Sequence, residues 1–180
     1  MQLRKQASAD THNDTKEKKN MGETFNITAE MLKVKGACAS GMRDFLKEFP
    51  REQYPDGADY QEILNRCAEH ERADYAEWLI QEFGATNTTL SVDKINTDGY
   101  VFFAGRIEAR GEIRCKAIRA GREIEAGEGI KAGDGIEAGE DFGVYAGLAV
   151  RLSDKSKYAK ITAKEKPANI ICGEWVPFDD

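Results

Sequence analysis

An isoleucine recurs about every six residues through the second half of this 180-residue chain, and this spacing constrains the fold more than any other feature. The series is Ile107, Ile113, Ile118, Ile124, Ile130 and Ile136, with one five-residue step in it. Two places after each isoleucine stands a small residue, most often alanine, and the residue between them is charged. Side chains two apart on a strand point to the same side, so the large and small residues should face inward and the charged one outward.

A short strand and a corner every six residues build one flat side of a prism, and three sides make a coil of about eighteen residues. Phe142 and Leu148 continue the series, and a glycine usually follows the alanine and permits the turn. This offset predicts the following stacked pairs: Ile118 over Ile136, Ile124 over Phe142, Ile130 over Leu148, Arg119 over Glu137 and Arg122 over Glu140. The five-residue step, from Ile113 to Ile118, predicts a bulged corner.

Helical patterns precede the repeats, from about residue 27 to 84. Thr28 is a suitable N-cap for the first helix, and Gly36 is a suitable stop. The apolar residues between Met42 and Phe49 recur at helical spacing, which predicts a second helix. Asp59 and Asp74 are each followed three places later by glutamate, a capping-box pattern that predicts two further helix starts.

Together these patterns predict an α+β fold, in which a small N-terminal helical subdomain packs on a three-sided β-helix, a hexapeptide-type solenoid. We predict a polar flexible tail over 1–24, the helical subdomain over 27–84, and the solenoid with a C-terminal cap over 88–180. Trp175 is the candidate cap. The small inward residue follows the large one here, whereas it precedes it in the usual left-handed hexapeptide helix, so the handedness stays open.

Charge and composition narrow the function classes. The formal net charge of −6 argues against general binding to nucleic acid or to a membrane surface, because both need basic patches. The chain has no apolar run long enough to span a membrane. The four cysteines form no CxxC pair, so we expect them to be reduced, mostly buried and cytoplasmic.

Catalytic, cofactor and metal sites are not expected. The stretches GEGIKAG and GDGIEAG lack the spacing of phosphate-binding loops, and the repeat itself explains their glycines. The corner acids do not follow the nine-residue period of calcium-binding β-rolls. The histidines, His12 and His70, lie outside the solenoid, and His70 should lie on the surface at a helix end, so we predict that the protein is not an enzyme.

The charge pattern of the repeats offers the best functional clue. Between residues 123 and 141 lie seven acids against one base, Lys131. The acids are Glu123, Glu125, Glu128, Asp134, Glu137, Glu140 and Asp141. Ordinary solubility and pairing between coils explain such a band in part. The functional hypothesis is a rigid acidic surface that docks on a basic or nucleic-acid-binding surface of a partner protein, without membrane or sequence-specific nucleic-acid binding.

Four stretches carry a resemblance to a known family: GACASGMRDFLKEFP, DYQEILNRCAEHERADYAEWLI, GIKAGDGIEAGEDFGVYAGLAVRL and KPANIICGEWV. Together, over about residues 27–176, they resemble small phage and prophage proteins in which a short helical region precedes GIxAG repeats, with a bactofilin-like β-helix architecture. The resemblance implies a bacterial or phage setting and carries over no catalytic residue. By analogy, it favours an inhibitor of a host defence system, such as an anti-CRISPR protein.

Two alternatives remain open. One is a self-assembling bactofilin-like scaffold joined through exposed coil ends, for which a homo-oligomer is expected. The other is a small-ligand-binding protein or enzyme with a pocket between the helices and the solenoid, lined by Tyr75, Trp78, Tyr100 and Phe102.

Overall fold

The computed structural model describes residues 25–178, so the tail predicted over 1–24 lies outside the described residues. The helices are α1 (Ala29–Val34), α2 (Ala39–Glu48), α3 (Tyr60–Glu69), α4 (Ala73–Phe83) and α5 (Lys155–Tyr158). The first strands are β1 (Asn26–Ile27), β2 (Ala58–Asp59), β3 (Thr89–Val92), β4 (Ile95–Asn96), β5 (Tyr100–Phe103) and β6 (Arg106–Ala109). They are followed by β7 (Ile113–Ala120), β8 (Ile124–Ala126), β9 (Ile130–Glu137), β10 (Val144–Tyr145), β11 (Lys160–Ala163), β12 (Ile170–Cys172) and β13 (Glu174–Pro177).

Parallel strands β3 to β13 stack into three sides. Side 1 consists of β3, β6, β8, β10 and β12. Side 2 consists of β4, the first half of β7, the first half of β9, β11 and β13, and side 3 consists of β5 and the second halves of β7 and β9. The predicted fold class is confirmed: helices at the N-terminal end precede a β-solenoid of about five turns.

The inward rows explain the isoleucine spacing. On side 1 the row is Leu90, Ile107, Ile124, Val144 and Ile170; on side 2 it is Ile95, Ile113, Ile130, Ile161 and Trp175; on side 3 it is Val101, Ile118 and Ile136. The isoleucines at the centre of these rows are buried. Burying each such side chain stabilises the fold by about 1.5–3 kcal/mol, so the rows form the main core of the solenoid.

Some of the predicted stacked pairs are confirmed and others are wrong. Ile118 lies over Ile136, Arg119 lies over Glu137 with an ion pair between them, and the register shifts near Cys115, where a bulged corner was expected. Ile124 instead lies under Val144, and Ile130 lies under Ile161.

The prediction fails after β9 because the corners change length while the strands keep their period of two. Phe142 lies in a longer corner with its ring against the Arg122 guanidinium, 4.9 Å from the centroid, so Arg122 does not pair with Glu140. Leu148 is exposed in an excursion that includes α5, before the chain returns to side 2 at β11. The six-residue rule therefore ends at Ile136.

The corner glycines are required by close packing between coils. A Cβ on Gly105, Gly121 or Gly139 would lie only 2.0–2.1 Å from a carbonyl oxygen of the preceding coil. On Gly127 the corresponding distance to the Arg110 carbonyl oxygen would be 1.7 Å. None of these four glycines has a positive φ. The corners therefore require glycine because it lacks a side chain, and not because the backbone is left-handed.

The helix starts follow the sequence patterns with one exception. The Thr28 hydroxyl accepts a hydrogen bond from the Met31 N–H at 3.2 Å, and the Asp59 carboxylate accepts one from the Glu62 N–H at 3.0 Å. The N-cap predicted at Asp74 is wrong, because α4 begins at Ala73, the residue before Asp74. Asp74 lies inside the first turn, where its carboxylate pairs with the Arg72 guanidinium at 2.8 Å.

Helix α3 covers the first coil of side 3. The buried Gln61 amide donates to the Phe102 carbonyl at 2.8 Å and accepts from the Ala104 N–H at 2.9 Å. This side chain therefore satisfies the free edge of β5 as a neighbouring strand would. Phe102 and Ala104 belong to the buried cluster of the helices, which joins the helical part to the solenoid through apolar contact as well.

The opposite end of the solenoid carries a different edge. The Glu174 N–H donates to the carbonyl of Ala159, just before β11, and the Phe178 N–H donates to the carbonyl of Ala163, the last residue of β11. The N–H direction alternates along a strand, so an N–H at position 177 would point away from β11. Pro177 has no N–H to offer there. Proline at such a position discourages pairing with a further strand. Trp175 is the last member of the inward row of side 2, the place expected of a cap.

Candidate interaction surface

The seven predicted acids wind once around the solenoid, because eighteen consecutive residues make one full coil. Five of them lie on side 1 or on its two flanking corners: Glu123, Glu125, Glu128, Glu140 and Asp141. Asp134 lies at the corner between sides 2 and 3, and Glu137 lies on side 3. The linear band is therefore not a single face, and a flat partner on side 1 contacts only part of it.

An arginine surrounded by glutamates lies at the centre of side 1. The Arg106 Nη2 atom is 2.6 Å from Glu125 Oε2 and 3.9 Å from Glu108 Oε2, and Nε is 3.7 Å from Glu123 Oε1. Glu108 and Glu125 are register neighbours on adjacent strands. Like charges directly opposite one another are destabilising, so Arg106 holds together a group that would otherwise repel. Arg122 Nε also lies 3.4 Å from Glu123 Oε2, so two guanidinium groups face three carboxylates and an excess of one negative charge remains.

The corners beside side 1 add acids without a nearby base. Within residues 25–178, Glu128, Glu140 and Asp141 are exposed and make no ion pair within 4 Å. Arg122, at the same corner as Glu140, instead contacts Glu123 and donates to the Asn87 amide oxygen at 2.9 Å. With Glu108, these residues define the side 1 acidic surface: Glu108, Glu123, Glu125, Glu128, Glu140 and Asp141.

The two remaining acids are held by internal partners. Asp134 Oδ1 is 3.5 Å from Lys164 Nζ, and its other oxygen accepts from the Tyr100 hydroxyl at 3.2 Å. Glu137 pairs with Arg119, which also contacts Glu77 of α4 at 3.2 Å. These acids stabilise contacts between coils and with the helices, which is the ordinary structural role of such pairs.

Glu108 was missing from the predicted set although the sequence contains the signal for it. It lies one coil before Glu125, at a separation of 17 residues, and the repeat places both at the outward position after an isoleucine. Comparison of outward positions on successive coils identifies this pair, whereas the linear sequence shows only the dense run of acids from residue 123 to 141.

Replacing Arg106 with methionine is expected to destabilise the protein by about 1–3 kcal/mol, because three adjacent carboxylates lose their common partner. The loss should shrink in 1 M salt, where the Debye length falls to about 3 Å. Urea unfolding at low and high salt measures both effects. Arg110→Met is the control, since its ion pair with Asp93 is 85% and 74% exposed and should change stability by less than about 0.5 kcal/mol. A salt-independent loss at Arg106 would point to packing instead of repulsion.

A cleft of about 570 Å³ opens between α2 and the α3–α4 pair. Tyr75 and Trp78 line it as the ligand-pocket alternative predicted, but Tyr100 and Phe102 do not, because Phe102 is buried beneath α3. The cleft therefore lies within the helical part and not between helices and solenoid. His70 ends α3 at its rim and is exposed, as expected.

The cysteines differ in exposure more than was predicted. Cys67 and Cys115 are buried, and burial raises the pKa of each thiol to about 12. Cys38 is exposed at the start of α2, where hydrogen bonds from Ser40 and from the Gly41 N–H lower the pKa of its thiol. The expectation of mostly buried thiols is therefore wrong for Cys38.

The described part of the chain contains neither a cluster of metal-binding side chains nor a membrane-spanning helix. Among residues 25–178, no three histidine, cysteine, aspartate or glutamate side chains come together as a metal site would require. No helix in that range has the length and apolar character needed to cross a membrane.

Comparison with known proteins shows that the helical part is similar to a known protein family. Residues 15–87 match the model of the family described as the YdhT N-terminal domain, which is less than half of the chain. The match ends where β3 of the solenoid begins, at Thr89. No curated protein and no solved structure matches the chain. The helices and the segment before them are thus similar to the YdhT N-terminal domain, and this similarity does not reach the acidic surface.

Proposed function

We propose that this chain is a non-catalytic interaction protein that binds a basic surface of a host protein through the side 1 acidic surface. The observation that carries the proposal is the cluster around Arg106, where Glu108 and Glu125 lie in register and Glu123 lies beside them. A fold gains nothing from placing like charges on adjacent strands, and local rules are broken most often at functional positions.

A partner's lysine or arginine side chains would relieve this excess charge. The exposed corner acids Glu128, Glu140 and Asp141 flank the cluster and extend the negative potential along both edges of side 1. Such a surface attracts a basic partner and raises the rate of its association, with a strong dependence on salt. A nucleic-acid-binding protein is the partner class that presents a basic surface of this extent.

We further propose that the partner belongs to a host defence system and that binding inhibits it. This finer proposal is supported by the resemblance of the helical and GIxAG stretches to phage and prophage proteins, and by the acidic surface, which can occupy a site meant for a nucleic-acid backbone. It is tested by plating phages on cells that carry individual defence systems, with and without this protein. We expect this protein to restore phage plating on cells that carry at least one of these defence systems. Unchanged plating on all of these cells would contradict the proposal.

Charge reversal tests the surface itself. The triple variant Glu128→Lys, Glu140→Lys and Asp141→Lys breaks no internal ion pair of the described residues and should weaken partner binding by about tenfold or more, a loss of about 1.4 kcal/mol. Affinity capture from nuclease-treated host lysate identifies the partner, and titration with the purified partner measures the change.

The matched control reverses three exposed acids that lie outside side 1 and make no ion pair with any residue in 25–178: Asp56→Lys, Asp98→Lys and Glu165→Lys. It changes the net charge equally and should leave partner binding within about twofold, or about 0.4 kcal/mol. Equal loss in both triple variants would show that net charge alone, and not side 1, governs binding.

The scaffold alternative finds less support. At the N-terminal end of the solenoid, Gln61 of α3 occupies the free edge of β5, and at the other end Pro177 interrupts the free edge of β13. Stacking of copies end to end needs both edges to be open. Light scattering of the purified protein separates the two functions, since a scaffold gives growing particles and the proposed interaction protein does not.

A further inference from the structure

The cleft in the helical part has an apolar base. Leu32, Phe45, Phe49, Ile63 and Leu79 form it, and all five belong to the buried cluster of the helices. Cys67 lies among them, and because burial raises the pKa of its thiol to about 12, it stays uncharged at neutral pH. Among the described residues, those at the base of the cleft carry no charge.

The rim of the cleft carries acids and bases in equal number, and the acids are Asp44, Glu48 and Asp74 and the bases Lys47, Arg66 and Arg72. On the α2 wall, Asp44 accepts from the Tyr75 hydroxyl at 3.1 Å and lies 3.4 Å from Arg72. Arg72 also pairs with Asp74 at 2.8 Å. The rim therefore offers a bound molecule little net charge, and an ionic group placed there would have to compete with existing pairs.

The volume is that of a small-molecule site. Ligand pockets in proteins measure about 300–1,000 Å³, with mostly apolar and aromatic walls and few polar groups, and the cleft of about 570 Å³ fits this description. The aromatic side chains Tyr75 and Trp78 supply flat surfaces on the α4 wall. Tyr75 and Trp78 are partly exposed, and covering apolar surface of this kind with an apolar molecule is favourable.

We propose that this cleft binds an uncharged, largely apolar small molecule with an aromatic or aliphatic body. This site is separate from the side 1 acidic surface, which lies on the solenoid, and it falls within the segment similar to the YdhT N-terminal domain. The chemistry that selects the ligand is the neutral base and the charge-balanced rim.

The probe for this site is N-phenyl-1-naphthylamine, which is uncharged and fluoresces in apolar surroundings. We expect saturable binding at one site, and binding at least about tenfold weaker for the matched anionic probe 8-anilino-1-naphthalenesulfonate, a difference of about 1.4 kcal/mol. Methyl NMR should locate the neutral probe through shifts at Leu32, Ile63 and Leu79. Shifts on the solenoid isoleucines instead, equal affinity for both probes, or no binding would overturn the proposal.

Two substitutions at Gly41 provide a cavity-filling test on α2. A Cβ at this helical position meets only the Cys38 sulfur at 3.4 Å and the Tyr75 ring at 3.8 Å, so added side chains extend into the cleft without a backbone clash. Gly41→Phe should weaken binding of the neutral probe by about tenfold or more, and Gly41→Ala should leave it nearly unchanged. Thermal unfolding of both variants confirms that they fold; a folded Gly41→Phe protein with undiminished binding would contradict the site.

Discussion

Gly121→Ala is expected to destabilise the protein by about 2–3 kcal/mol, at the upper end of the cost of overpacking a core. A Cβ at this position would lie 2.1 Å from the Ala104 carbonyl oxygen and 3.1 Å from the Ala85 Cα. Both neighbours are backbone atoms, which move only if the coil spacing opens. Since Gly105 and Gly139 occupy the same corner on the neighbouring coils, the strain should spread along the stack.

Equilibrium urea unfolding and thermal melting measure this loss, and in a chain of this size a loss of that magnitude lowers the melting temperature by about 5–10 °C. Gly135→Ala is the matched control. It lies in β9 of the same solenoid, its φ is not positive, and nothing lies within 4 Å of its added Cβ. Its stability should change by less than about 0.5 kcal/mol. If the two variants are equally stable, the corners are looser than the packing of Gly121 indicates.

The solenoid could be predicted from sequence because its strands keep a strict alternation of inward and outward residues. Ile118 and Ile136 stack as the spacing requires, and so do Arg119 and Glu137. The spacing says nothing about how long a corner will be. The longer corner before Val144 and the excursion before Ile161 are therefore visible only in the structure.

The corner glycines were predicted only to permit the turns, and the structure gives the physical reason. A carbonyl oxygen of the preceding coil lies where a Cβ on Gly121 or Gly127 would be, and φ is not positive at either position. Close approach between residues 17 apart depends on how coils stack, and no local pattern reports it. The stacking offset has to be known first.

The candidate site, like the solenoid, could be predicted from sequence only in part. The acids were evident in sequence, but a linear run on a solenoid winds around it, so neighbours in sequence such as Glu137 and Glu140 end on different faces. Glu108 joins the surface through register alone. The helical cleft was not predictable in its true place, because amphipathic spacing shows which face of α2 is apolar but not how far it stands from α3 and α4.

Gln61→Met is expected to cost about 2–4 kcal/mol, because it leaves the Phe102 carbonyl and the Ala104 N–H buried without partners, at about 1–3 kcal/mol each. Methionine is close in length and apolar, so the packing of α3 against β5 is kept while both hydrogen bonds are lost. The Gln61 amide, at 2.8 and 2.9 Å from these groups, is the polar link between the helices and the first coil.

Gln81→Met is the control, since this glutamine is exposed on α4 and its amide contacts only Glu77, at a long 3.4 Å, among the described residues. Urea unfolding should separate the two variants, and hydrogen exchange should show the Ala104 amide losing protection in Gln61→Met alone. If the helices and solenoid of the native protein unfold together, losing this link should also weaken that cooperativity. Apolar contact with Phe102 and Ala104 and the exposed ion pairs Arg119–Glu77 and Lys116–Glu71 would then join the two parts without it. Unchanged stability and protection would mean that water satisfies the edge of β5 as well as Gln61 does, and that packing and surface ion pairs are enough to join the helices to the solenoid.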